Sequence, residues 1–112
     1  MDSEAFVEVI REVVLAPAVD GTVRNLESPP GRRPSDELRS ASAWYRGLPA
    51  EDQTMVRSVL AMSAHAGVFG FLAVLDGARA IEDGPVKGEL VLELRRNGAV
   101  DVLTNGYLHE YL

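Results

Sequence analysis

The sequence predicts an α+β fold, three helices with a long central one at about residues 50–82, followed by a C-terminal β-hairpin. Three observations carry this. Apolar residues recur at spacings of three and four through residues 3–15 and 50–82, the period of a helix with a buried stripe. Past Asp83-Gly84-Pro85 the period changes to two, the alternation of a strand. Asn97-Gly98 then separates two alternating runs, and a tight type I′ hairpin turn needs residues that accept positive φ at both central positions. Helices first and strands afterwards argue α+β rather than a parallel α/β sheet.

The first helix is expected from Ser3 to Leu15. Ser3 can cap it, Glu4 suits the positive end of the helix dipole, and Phe6, Val9, Ile10, Val13 and Val14 form its apolar side. Pro17 is expected to end it, since a proline disfavours helical backbone in the residue before it. Residues 17–34 then read as a long irregular loop, punctuated by Asp20-Gly21, Pro29-Pro30-Gly31 and Pro34. Arg24, Arg32 and Arg33 make this the one locally basic piece of the chain.

A second helix is expected from Ser35, with Asp36 and Glu37 in its first turn, Leu38, Ala41 and either Trp44 or Tyr45 on its apolar side, the tryptophan favoured as core, and Gly47 as its stop. Leu48-Pro49-Ala50-Glu51-Asp52 opens the third. Met55, Val59, Met62, Ala66, Phe69 and Ala73 lie on one stripe, and beyond Ala66 the apolar character spreads around the circumference, which predicts a rod packed on all sides. The competing expectation is a buried strand over Val68–Leu75 closed by Asp76-Gly77, because short apolar runs are ambiguous by period. The unbroken three-and-four spacing favours helix. In the hairpin, Leu90, Leu92 and Leu94 alternate against Glu89, Glu93 and Arg95, and Ala99–Thr104 returns. Tyr107, Leu108, Tyr111 and Leu112 predict a tail that docks back on the body.

The block Phe69-Gly70-Phe71-Leu72-Ala73-Val74-Leu75-Asp76-Gly77-Ala78-Arg79-Ala80-Ile81-Glu82, with a glycine-rich turn and hairpin after it, resembles small uncharacterised bacterial proteins over roughly the C-terminal half. The resemblance implies no substrate or reaction. Small acidic bacterial proteins of this build include toxin-neutralising immunity proteins, an analogy of size and charge.

At 112 residues with 46% hydrophobic side chains, the chain is expected to form a single domain, 1–112, with one core. Seventeen acidic against eleven basic residues give a formal charge of −6, which repels phosphate backbones and anionic membranes and so predicts no nucleic-acid and no membrane partner. Without cysteine there is no disulfide, thiolate metal site or thiol nucleophile. Met1-Asp2-Ser3-Glu4 lacks the positive charge of a secretory leader, and the longest wholly apolar run, Ala66–Leu75, is far shorter than a bilayer span. The expectation is a cytoplasmic protein.

The only histidines, His65 and His109, lack metal-ligand spacing, and neither a metal nor another cofactor is expected. Ser58, His65 and Asp76 share one side of the expected long helix. Its rise, however, would hold them roughly 10 and 16 Å apart, while a nucleophile and its base must nearly touch. No enzyme is expected. The same helix would bring Asp76 within ion-pair reach of Arg79, itself four residues before Asp83. Two functional expectations follow. The first is a non-enzymatic protein-interaction module, immunity-like, binding a protein partner through its acidic surface, the hairpin edge, Arg32, Arg33, Tyr107 and Tyr111. The alternative is a small-ligand-binding domain with a pocket near Asp76 and Arg79, joined by His65. A homodimer is also allowed, through the row of small residues Ala66, Gly70, Ala73, Gly77 and Ala80 on the expected long helix or through the hairpin edge.

Overall fold

The computed structural model describes residues 1–112. Its elements are α1 (Ser3–Ile10), a π turn (Arg11–Leu15), α2 (Ala16–Glu27), α3 (Asp36–Arg46), α4 (Ala50–Leu75), β1 (Glu93–Arg96), β2 (Ala99–Val102) and a terminal 3-10 turn (Leu108–Tyr111). The fold is α+β: three helical rods, the first built from α1, the π turn and α2, and a two-stranded antiparallel hairpin.

The expected loop over 17–34 is mostly absent, because residues 17–27 are helical and only about 28–35 are irregular. Pro17 does not stop the first rod. A proline inside a helix lacks an N–H and crowds the carbonyl four residues back. Here the turn before it is widened, so that the Ala16 N–H bonds Arg11 O, five residues back. The rod continues, and Val19, Val23 and Leu26 lie buried along it at spacings of four and three.

Ser35 caps α3 by accepting from the Leu38 N–H at 3.1 Å. The helix stops at Arg46 as Gly47 predicts, although Gly47 stays right-handed at φ −81°. Its core residue is Tyr45 rather than Trp44, which is 59% exposed. Ser42 is buried on the same face and donates from Oγ to Leu26 O at 2.6 Å, tying α3 to α2.

α4 is continuous through 68–75, so the strand alternative is excluded there. It ends at Leu75, seven residues before the expected limit. Gly77 takes φ +83°, and the Arg79 N–H turns back to Ala73 O at 2.9 Å. A left-handed glycine just past a helix, with the chain folding back onto its last carbonyls, is a Schellman-type stop. Residues 77–91 then run exposed and irregular to the hairpin. There, Asn97 (φ 49°) and Gly98 (φ 82°) form the expected turn, and Glu93 pairs with Val102 and Arg96 with Ala99.

The core is divided. Val7, Leu72 and Leu108 form one cluster, with Phe6, Val68, Leu75 and Leu112 against it. Val23, Leu26 and Tyr45 form another, with Ala41, Leu48, Val56 and Leu60. Val7 meets the C-terminal part of α4 and Val23 its N-terminal part, so the first rod runs antiparallel to α4. The expectation that α4 is packed on all sides fails, since only Gly70, Leu72 and Ala73 of its residues are buried. A 26-residue helix is about 39 Å long, and its short neighbours cover one side. α4 is also the one helix long and apolar enough, by length and composition, to cross a membrane.

Candidate functional site

The chemistry-bearing residues gather where α4 ends and the C-terminal tail docks. The tail is held first by burial, with Leu108 fully enclosed beside Val7 and Leu72. Its backbone is held by Arg11, whose guanidinium donates to Tyr111 O at 2.7 Å and also to Leu112 O. That placement brings His109 over the end of α4. Both the His109 backbone N–H (3.1 Å) and its Nδ1 (2.6 Å) reach Asp76 Oδ2, while Asp76 Oδ1 accepts from the Ala78 N–H at 3.0 Å. The Asp76 side chain is shielded from solvent and that of His109 is 18% exposed. Desolvation pushes the Asp76 carboxyl up. The hydrogen bond from the His109 side chain, the backbone N–H groups of Ala78 and His109, and the imidazolium charge together outweigh it, holding the carboxyl below its ordinary value.

The expected Asp76–Arg79 pair does not form. With α4 over at Leu75, the spacing of three no longer sets the two side chains on one helical face, and the carboxylate is already occupied. Arg79 instead lies across α4, its guanidinium where a Cβ on Gly70 would stand: such an atom would meet Nη1 at 2.7 Å. Asp76 and Arg79 do line one cavity of about 230 Å³, together with Glu82, Lys87, Glu89 and Thr104. His65 is not part of it. It is exposed on α4 and stacks on Phe69 at 6.4 Å between ring centroids. Phe69 in turn meets the His109 ring edge-on at 5.3 Å, and Tyr107 lies 5.5 Å from His109 on the tail. The pocket expected from Asp76, Arg79 and His65 is therefore split in two: a polar cavity holding the first two, and an aromatic row beginning with the third.

Of the expected partner-binding residues, Tyr107 and Tyr111 are exposed on the docked tail. Arg32 and Arg33 are exposed in the short loop between α2 and α3, beside the other core cluster. No group of histidine and carboxylate side chains is arranged to hold a metal ion.

Sequence reasoning missed the Asp76–His109 pair because 33 residues separate its members. The usable signal was the tail: once Leu108 is taken as docked, its neighbour His109 must also meet the body. It also missed an apolar groove of about 230 Å³ between α1 and α4, lined by Phe6, Ile10, Val14, Val68, Phe71 and Leu75 among others. Compared with family models, with curated protein sequences and with solved structures, the chain matches none.

Proposed function

We propose that this chain is a non-enzymatic protein-interaction module, immunity-like in size and charge, that acts when bound to protein rather than as a free chain. The observation that carries the reading is the apolar surface the fold leaves bare. Met55, Val59, Met62 and Phe71 on α4 and Val13 in the π turn are each at least half exposed. Met55, Val59 and Met62 share one side of α4, and an exposed apolar patch on a chain that otherwise carries many charges marks a contact site. The hairpin adds an open edge on each strand, since β1 and β2 pair only with each other.

The Asp76–His109 pair fits the same reading as a clasp. An aspartate-oriented imidazole becomes a catalytic base only with a nucleophile or substrate at its other nitrogen, and His109 gives both its backbone N–H and its ring Nδ1 to Asp76. The net charge of −6 argues against nucleic acid and anionic lipid as partners. The test is capture from an extract of the source organism on the immobilised chain. A stoichiometric protein partner retained at low ionic strength and weakened by salt is expected; no partner at low ionic strength would count against the reading.

The cavity beside Asp76 favours a second reading, a small-ligand site. Arg79 and Lys87 line it without an ion-pair partner, among the carboxylates of Asp76, Glu82 and Glu89, and an anionic group of the ligand would meet these two cations. Its volume of about 230 Å³ is below the range of ordinary small-molecule sites. Titration with inorganic phosphate, followed by amide NMR, should then shift residues 79–89 in the parent and not in Arg79→Gln. Equal shifts in both would remove this reading.

A further inference from the structure

Met55, Val59, Met62, Ala66, Phe69 and Ala73 are spaced four, three, four, three and four residues apart. That is a strict seven-residue repeat, the seam of a helix that packs along another helix. Five of the six are exposed: Met55 at 62%, Val59 at 50%, Met62 at 64%, Phe69 at 37%, and Ala66. The first rod does not use this seam. It packs on the side of α4 that presents Val56, Leu60, Val68 and Leu72.

We propose that the seam is the centre of an interface with a second copy of this chain, α4 packing against its symmetry mate about a two-fold axis. The inference rests on the protein-interaction reading and names the partner for one surface. Area is the first argument. A monomer of 12.1 kDa exposes about 6,000 Å² when folded, and this chain exposes 7979 Å². Part of the excess of about 2,000 Å² belongs to the open segment after α4, but the amount matches what each subunit of an obligate homodimer buries. Shape agrees, because the radius of gyration is 18.4 Å where about 13 Å is expected for this length.

Charge is the second argument. From Ser58 to Leu75 the helix carries no Asp, Glu, Lys or Arg, and the residues flanking the seam include Ser58, Ser63 and His65. Two chains of charge −6 can therefore approach along this line without opposing their carboxylates. A two-fold interface must be complementary to itself, and an uncharged row of methionine, valine, alanine and phenylalanine meets that condition.

The chain has no cysteine, so single cysteines report contact cleanly. Light scattering on the full chain at micromolar concentration should give about twice the chain mass. Met62→Lys should weaken association by roughly 30-fold or more. Because that variant can also unfold, Val59→Cys, Met62→Cys and Ala66→Cys are oxidised in parallel with Ser40→Cys, a control on the exposed side of α3. At least one seam cysteine should cross-link two copies much faster than the control. A chain that stays at 12.1 kDa up to 100-fold higher concentration, or seam cysteines no faster than Ser40→Cys, would overturn the proposal. So would flotation of the monomer with phosphatidylcholine–phosphatidylglycerol vesicles, which would give the seam to a bilayer. A monomer that still captures a protein from extract would refute the dimer and leave the interaction reading standing.

Discussion

Replacing Leu108 with alanine should release the whole C-terminal tail while leaving the three rods largely helical. Leu108 is fully buried, and it is one of only three buried side chains in its cluster. Truncating a buried leucine costs about 2–5 kcal/mol, from lost transfer free energy and the cavity left behind. The upper part of that range is expected here. Val7 and Leu72 come from two different rods and have no other buried partner able to close over the gap. The tail also carries His109 and the two carbonyls bonded by Arg11, so loss of its anchor removes those hydrogen bonds as well. The measurement is limited proteolysis beside circular dichroism at one fixed protein concentration. Cleavage should concentrate after residue 103 while the helical signal falls little. A variant as resistant as the parent would show that Arg11 and Asp76 hold the tail without the leucine.

Asp76→Asn should be the next most damaging change. The carboxylate accepts three N–H groups, from the backbone of Ala78, the backbone of His109 and the His109 ring. An asparagine offers one oxygen, so either orientation of its amide aims an NH₂ group at a donor. Hydrogen bonds to a charged acceptor contribute about 1.5–3 kcal/mol each, and a mispaired buried group costs a similar amount. A loss of about 2–3 kcal/mol is expected at neutral pH. The pH dependence identifies the cause. The folded-state carboxyl titrates below its unfolded value of about 3.9, so its contribution is complete above that value and is lost as pH falls through the lower folded one. Parent and variant should therefore differ fully at pH 5 and above and converge below pH 4. A difference that persists undiminished at pH 3 would assign the effect to packing.

What could be read from the residues depended on how local the controlling interaction was. The start of α3 at Ser35, the Asn97-Gly98 turn, the body of α4 and the docking of Leu108 were legible, because each rests on a few neighbouring residues or one apolar pattern. The helix over 17–27 was not. A rule that proline ends helices outweighed the four-and-three spacing of Val19, Val23 and Leu26, and the π turn that relieves Pro17 has no plain sequence mark. The end of α4 was written in Asp76-Gly77 but overridden by an apolar period that happens to continue. Trp44 and Tyr45 are adjacent, and only the position of Ser42 against Leu26 decides which of them turns inward. The Asp76–His109 pair depends on tertiary folding across 33 residues, beyond the reach of spacing arguments.

The division of the core into two clusters has a kinetic consequence. Between Arg57 and Phe69 no residue of α4 is fully buried, and only half-buried side chains such as Leu60 and Val68 hold the middle of the helix in a single chain. Amide protons there should exchange with solvent far sooner than those near Leu26 and Leu72, giving two slow islands joined by a fast bridge. In a dilute sample the islands should also open independently. Concentrating the sample should slow the bridge and fuse the two events into one.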